Sequence, residues 1–193
     1  MHATPVRPGE RTFERPIVRL PSGHQAVVRR ASPQDCLLAP AFLNSLSSRT
    51  QRRRFHGRLP ALGPASLAAP TNGDGRHQAM VATVHDGVRE ILVGDARFVV
   101  EGDGRDAEFA IVVTDTLRRQ GLGRALMLAL AQAAHDAGVR WLRGEVHDDN
   151  PAMLTLMLSL GFSPTRRDEE AGIVVFEQRL SGRWPAAGAH GNA

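Results

Sequence analysis

"AEFAIVVTDTLRRQGLGRALM", residues 107–127, holds the decisive transition of this chain. An apolar run over residues 107–113 gives way to a polar, arginine-rich turn. Residues 121–137 then carry apolar side chains at helical spacing, so the stretch reads strand, turn, helix. Two glycines, Gly121 and Gly123, stand where the helix begins. Glycine there costs backbone entropy, and something must compensate for it.

Outward from this core the pattern continues. Gly138 stops the helix, residues 141–147 read as a strand, residues 151–160 as a helix closed by Gly161, and residues 172–180 as a last strand. Upstream, residues 17–30 read as two short strands around Pro21-Ser22-Gly23. Ser32, with Pro33 after it, caps a helix running to about Leu46. Residues 49–56 form a further helical piece, and residues 57–76 read as loop. Strands at 80–85 and 91–100 are joined by a turn at Asp86-Gly87, and residues 102–106 form a second turn. A helical crossover between strands 107–113 and 141–147 makes that pair parallel, whereas the short turns make the earlier strands antiparallel. The expectation is an α/β fold: a mixed, mostly antiparallel central sheet with helices on both faces. Ligands of such sheets bind at the carboxyl ends of the parallel strands. One domain, residues 16–180, is expected between flexible ends at 1–15 and 181–193.

Three phosphate-binding patterns compete for the glycines. A P-loop needs a lysine, and all 24 Lys+Arg residues of this chain are arginine. A dinucleotide fingerprint needs a third small residue, but Leu126 occupies that place, and the gap from Val113 to Gly121 is too long for the tight turn. The remaining pattern, R-x-x-G-x-G, is met by Arg118, Gly121 and Gly123. Bare glycine backbone lets helix-start N–H groups approach a pyrophosphate closely. Arg119 and Arg124 add charge around it. The plainer alternative is a glycine-rich cap on an arginine-faced helix.

With these residues in view, the segment resembles the acetyl-coenzyme-A loop of the GNAT superfamily of N-acetyltransferases. Asn150 followed by PAMLTLMLS and Leu160-Gly161-Phe162 resembles the second motif of that family. "VRRASPQD", "FLNSLSSRTQRRRFHG" and the opening stretch are similar to the catalytic domain of bacterial Pat-type protein-lysine acetyltransferases. The likeness covers about residues 27–180. Many such enzymes carry a fused cyclic-nucleotide-binding or acyl-CoA-synthetase-like domain, which a chain of this length is not expected to hold.

The resemblance implies a splayed parallel strand pair, with acetyl-CoA as co-substrate. Val112 and Val113 would pair with the pantetheine arm and polarise the thioester carbonyl. Arg118, Arg119, Gln120, Gly121, Leu122, Gly123 and Arg124 would hold the pyrophosphate. Asn150 would contact the cofactor, although its position before Pro151 equally suits a simple helix cap. Met157 stands where many members carry a tyrosine acid, and the chain has no tyrosine at all.

Transfer to a lysine requires removing a proton from an amine of pKa ~10.4, which costs about 4.6 kcal/mol at pH 7. Glu108 is the candidate base, because it interrupts an apolar strand on the same face as Ala110 and Val112. A carboxylate there is costly unless paired or useful. A solvated edge or an ion pair with an arginine is the structural alternative, and the resemblance favours the base.

The net charge of +4 and pI near 11.0 reflect missing lysine and tyrosine more than strong basicity. Nucleic acid is therefore not an expected partner. The Arg52-Arg53-Arg54-Phe55 run reads as a charged helix face, with a grip on an acidic substrate or nucleic acid as the sharper alternative. His147-Asp148-Asp149 reads as a solvated loop, so no metal is expected. A single cysteine, Cys36, and the absence of a long apolar run or an apolar N-terminal core indicate a cytoplasmic protein. The expected activity is acetyl-CoA-dependent N-acetylation of a protein lysine, with a homodimer allowed. The alternatives are a small-molecule amine acceptor and a non-catalytic acyl-CoA-binding module.

Overall fold

The computed structural model describes residues 16–55 and 76–181. The expected flexible end at 1–15, all of the one at 181–193 but Ser181, and most of the loop read at 57–76 lie outside the described residues. Eight strands form one sheet in the order β1-β2-β3-β4-β5-β6-β8-β7. The strands are β1 (Ile17–Arg19), β2 (Gln25–Arg30), β3 (His77–His85), β4 (Glu90–Glu101), β5 (Asp106–Val113), β6 (Trp141–His147), β7 (Ser163–Asp168) and β8 (Ile173–Arg179). Every pairing is antiparallel except β5 with β6. The helices are α1 (Ala39–Ser45), α2 (Ser48–Phe55), α3 (Leu122–Asp136) and α4 (Pro151–Ser159).

Period-two alternation sends neighbouring residues to opposite faces of the sheet. Met80, Ala82, Phe98 and Phe109 join Leu122, Leu126 and Leu130 of α3 in the larger core, together with Met157 of α4. Val81, Leu92 and Val112 face the other way and bury Ala39, Phe42 and Leu46 of the α1 region. The expected mixed sheet with helices on both faces is therefore present.

Two local expectations differ. The helix predicted from Ser32 to Leu46 is split into a short 3-10 turn, Pro33–Leu37, and α1. Pro40 lies in the first turn of α1 and has no N–H with which to continue a single helix across residue 38. Strand β7 was not expected at all. Its sequence, SPTRRD, has no apolar alternation, and its residues are exposed up to Asp168. As a solvent-facing edge strand it needs none.

The parallel pair is short. Register partners are Asp106 with Trp141, Ala107 with Leu142 and Glu108 with Arg143, and there the pairing stops. Both strands run on, β5 to Val113 and β6 to His147, so they splay from Glu108 onward. At the next position Gly144 meets the ring of Phe109, which also packs edge-on against Phe162 at 5.5 Å between centroids.

Candidate active site

The diverging strands form the floor of a cleft of about 1010 Å³, walled by α2, by the turn leading into α3 and by the start of α4. Pockets for small molecules are typically roughly 300–1,000 Å³, so this one has room for a large ligand. Glu108, half-buried, lines it at the fork, on the face shared with Ala110 and Val112. Its register partner Arg143 is held at 2.8 Å by Asp106 and at 2.8 Å by Glu177. Val112 and Val113 also line the cleft. Their main chain pairs with β4 on one edge, and no partner strand follows on the other.

Between β5 and α3 the chain turns sharply. Arg119 has φ 59° and is the one non-glycine in the left-handed region among the described residues. Gly121, at φ 86°, is the helix N-cap and offers no capping side chain. The first helical bond runs from Ala125 N–H to the Gly121 carbonyl at 3.0 Å. The N–H groups of Leu122, Gly123 and Arg124 are thus left without an intrahelical acceptor, which suits an anion. Gly123 has a second reason to be glycine: a Cβ there would lie 3.3 Å from Leu156 of α4.

Of the residues expected to hold the cofactor, Arg118, Arg119, Gln120, Gly121, Gly123, Arg124 and Asn150 all line the cleft with the two valines. Leu122 does not. The residue is 1% exposed and packs in the larger core, between the cleft-lining Gly121 and Gly123. Asn150 makes no side-chain cap to α4. Its carbonyl instead accepts from Met153 and Leu154 at 3.0 and 3.1 Å, leaving the amide side chain for the cleft. Met157 is fully buried and away from the cleft.

Several functional contacts were not legible from spacing. Asp115 accepts from the Ser47 N–H at 2.9 Å and the Thr50 hydroxyl at 2.7 Å, and pairs with Arg118 at 3.0 Å. Arg118 also donates to Thr50, so its guanidinium is fixed between the two chain segments. Burial pushes the Asp115 carboxyl up, but these donors outweigh it and hold it below the usual range. Across the cleft, Arg53 Nε donates to Asp149 Oδ1 and Arg49 to Asp149 Oδ2, each at 3.0 Å. Hydrogen bonds from Arg53 and then Arg49 bring the Asp149 carboxyl down to about 2. The turn read as a solvated loop is therefore tied to α2.

The arginine run is likewise not a uniform solvated face. Arg54 is buried, stacks at 5.0 Å over the Phe55 ring and lies 3.7 Å from the fully buried Asp95. Arg97 reaches the same carboxylate at 2.9 Å. Burial pushes Asp95 up and Arg54 down to about 10, against the attraction between the carboxylate and the two guanidiniums. Sequence spacing gives no sign of this cluster, because its members come from α2 and β4.

The sequence profile of the Acetyltransferase (GNAT) family matches residues 44–162. An acetyltransferase of Pseudomonas aeruginosa is 28% identical over 165 residues, covering 85% of this chain and 89% of that protein. The mycothiol acetyltransferase of Geodermatophilus obscurus is 37% identical over 123 residues, 61% of this chain and 38% of that one. Among solved structures, the GNAT domain of S. lividans PAT superposes with a TM-score of 0.71 at 24% identity, over 86% of this chain and 96% of that domain. The cAMP-binding acyltransferase of Mycobacterium smegmatis superposes at 0.58 with 28% identity, over 88% of this chain and only 48% of that one. A Salmonella typhimurium structure holding its cofactor acetyl-CoA superposes at 0.60 with 20% identity, over 81% of this chain and 94% of that one. No described helix is long and apolar enough to cross a membrane. With its open strand pair, bare helix start and cleft joined in one site, the chain belongs to the GNAT family of acetyl-CoA-using N-acetyltransferases.

Proposed function

We propose that this chain transfers the acetyl group of acetyl-CoA to the side-chain amine of a protein lysine by direct attack, with Glu108 as general base. The observation that carries this reading is the end of β5–β6 pairing at Glu108 and Arg143, which leaves Glu108 at the fork beneath an unpaired strand edge. A carboxylate at that point can take the amine proton directly or through a water. The main chain at Val112–Val113 offers hydrogen-bonding groups along the open edge, where an N–H can stabilise the developing oxyanion by several kcal/mol.

The start of α3 suits the pyrophosphate, with Arg119 and Arg124 supplying exposed charge nearby. The helix dipole adds ~0.3–1 kcal/mol of attraction for an anion at such a terminus. Asn150 contributes its amide at the far wall. The resemblance of "VRRASPQD" and "FLNSLSSRTQRRRFHG" to Pat-type protein-lysine acetyltransferases supports a protein acceptor. The mycothiol acetyltransferase relative supports a small-molecule amine instead.

The test is acetyl-CoA-dependent thiol release with lysine peptides and small amines, alongside Glu108→Gln. The expected result is turnover on lysine peptides that falls ~10²–10⁴-fold in the variant, with acetyl-CoA binding retained. Turnover on small amines alone replaces the acceptor assignment, and an unchanged Glu108→Gln rate removes the base.

A further inference from the structure

Breaking a thioester leaves a thiolate, and a thiol of pKa ~8.5 leaves more readily when a proton meets the sulfur. The chain has no tyrosine, and Cys36 is not among the cleft residues. Arginine is too weak an acid for this step. Asp115 and Asp149 are held ionised by the hydrogen bonds already described. Among the described residues lining the cleft, His147 is the one imidazole.

Its place in the fold fits the task. Leu142 and Val146 of β6 are buried in the larger core, so Arg143, Glu145 and His147 share the opposite face, which is also that of Glu108. Counting on from the Glu108–Arg143 pair, His147 stands across the splay from Val112, whereas Glu145 stands across from Ala110. The base and the imidazole thus lie on opposite arms of the fork, with the open main-chain edge between them. The charged groups that line the cleft with His147 are Glu145 and Asp149 from its own strand and turn, Glu108 from β5, Arg49, Arg53 and Arg54 from α2, and Asp115, Arg118, Arg119 and Arg124 from the turn into α3 and its start; Asp148 follows it in the chain, and Ile173 pairs with it on β8.

We propose that His147 is the general acid of the transfer, an inference that rests on the reading of the cleft as the acetyl-transfer site. As the amine nitrogen bonds to the acetyl carbon, its proton passes to Glu108. As the carbon–sulfur bond breaks, the bonding pair stays on sulfur, and the His147 imidazolium gives its proton to form the coenzyme A thiol. Solvent then takes the proton from Glu108 and returns one to His147.

Three measurements on the full chain decide it. His147→Asn is expected to lower kcat about 10²-fold, with acetyl-CoA affinity by calorimetry and the melting temperature kept, and to lose the alkaline fall of the wild-type kcat profile. Added imidazole is expected to restore part of the rate of His147→Ala. In the wild type, coenzyme A is expected to shift the His147 imidazole resonances more than desulfo-coenzyme A does. An unchanged rate and profile in His147→Asn overturns the proposal. If no acceptor is turned over at all, the acetyl-transfer reading fails on its own. The resonance comparison still decides His147 in that case: equal shifts with and without the sulfur overturn its role.

Discussion

The ring of Phe109 fills the space that a side chain on Gly144 would need: a Cβ on Gly144 would clash with both Cε1 and Cζ. These residues occupy the first positions of β5 and β6 after the parallel pairing ends. The absence of a side chain on one arm and the bulk on the other hold the fork in its shape. Gly144→Ala is expected to cost about 1–3 kcal/mol through overpacking, read by urea denaturation. It is also expected to weaken acetyl-CoA binding, read by calorimetry, because the arms must shift to admit the methyl group. In a double-mutant cycle with Phe109→Leu, the penalty of the methyl is expected to shrink.

Asp95→Ala tests the buried ionic cluster. Asp95 is fully buried between Arg97 at 2.9 Å and Arg54 at 3.7 Å. Removing the carboxylate takes a counter-charge from two guanidiniums in the interior, with an expected loss of about 3–5 kcal/mol in chemical denaturation. An Asp95→Ala protein as stable as the wild type contradicts this account of the cluster.

Gly121 and Gly123 separate by mechanism. Gly121→Ala forces a side chain into the left-handed region, at an expected ~1–2 kcal/mol. Gly123 has no positive φ, so its alanine variant meets only Leu156 at 3.3 Å. Thermal melts are expected to rank Gly121→Ala below Gly123→Ala, while calorimetry shows weakened coenzyme A binding in both.

The tie between α2 and the turn before α4 depends on pH. Arg53 and then Arg49 hold the Asp149 carboxyl down at about 2, against an ordinary value of 3.8. A group whose folded value is depressed stabilises above its unfolded value and loses that effect as pH falls through the folded one. The Asp149 contribution is therefore complete well above 3.8 and is lost as pH falls through about 2. The Asp149 carbon resonance in NMR is expected to titrate near pH 2 in the wild type and to move upward in Arg53→Gln. Because the group is exposed, high salt is expected to narrow the difference.

Residues 107–162 were legible because local rules act there in concert. Unbroken apolar runs, helix-stopping glycines and a crossover long enough to enforce a parallel pair all agree with one another. The glycine pair at α3 announced a special backbone, and Gly121 bears that out with φ 86°. What was hidden is relational. Strand β7 has no apolar code because it lies at an exposed edge. Arg53 and Arg54 are neighbours in sequence, yet one clasps Asp149 across the cleft and the other enters the protein beside Asp95. Only a helix lying across strands decides which arginine does which. His147 closed the strand read at 141–147 and was also read into a solvated turn, because nothing local shows that β5 and β6 part before it and leave it lining a cleft.

Leu122 opens α3 between Gly121 and Gly123 of the proposed pyrophosphate site and is itself buried in the core at 1% exposure. Interior packing at this one residue thereby fixes the glycines on either side of it, where the proposed ligand would sit. Trimming it would be felt twice, as lower thermal tolerance and as poorer retention of the acyl donor. Saturating coenzyme A would in turn raise the melting point, by the logarithm of its excess over the dissociation constant. Drift in the interior of such a protein is thus exposed to selection on donor occupancy, even where its fold would tolerate the change.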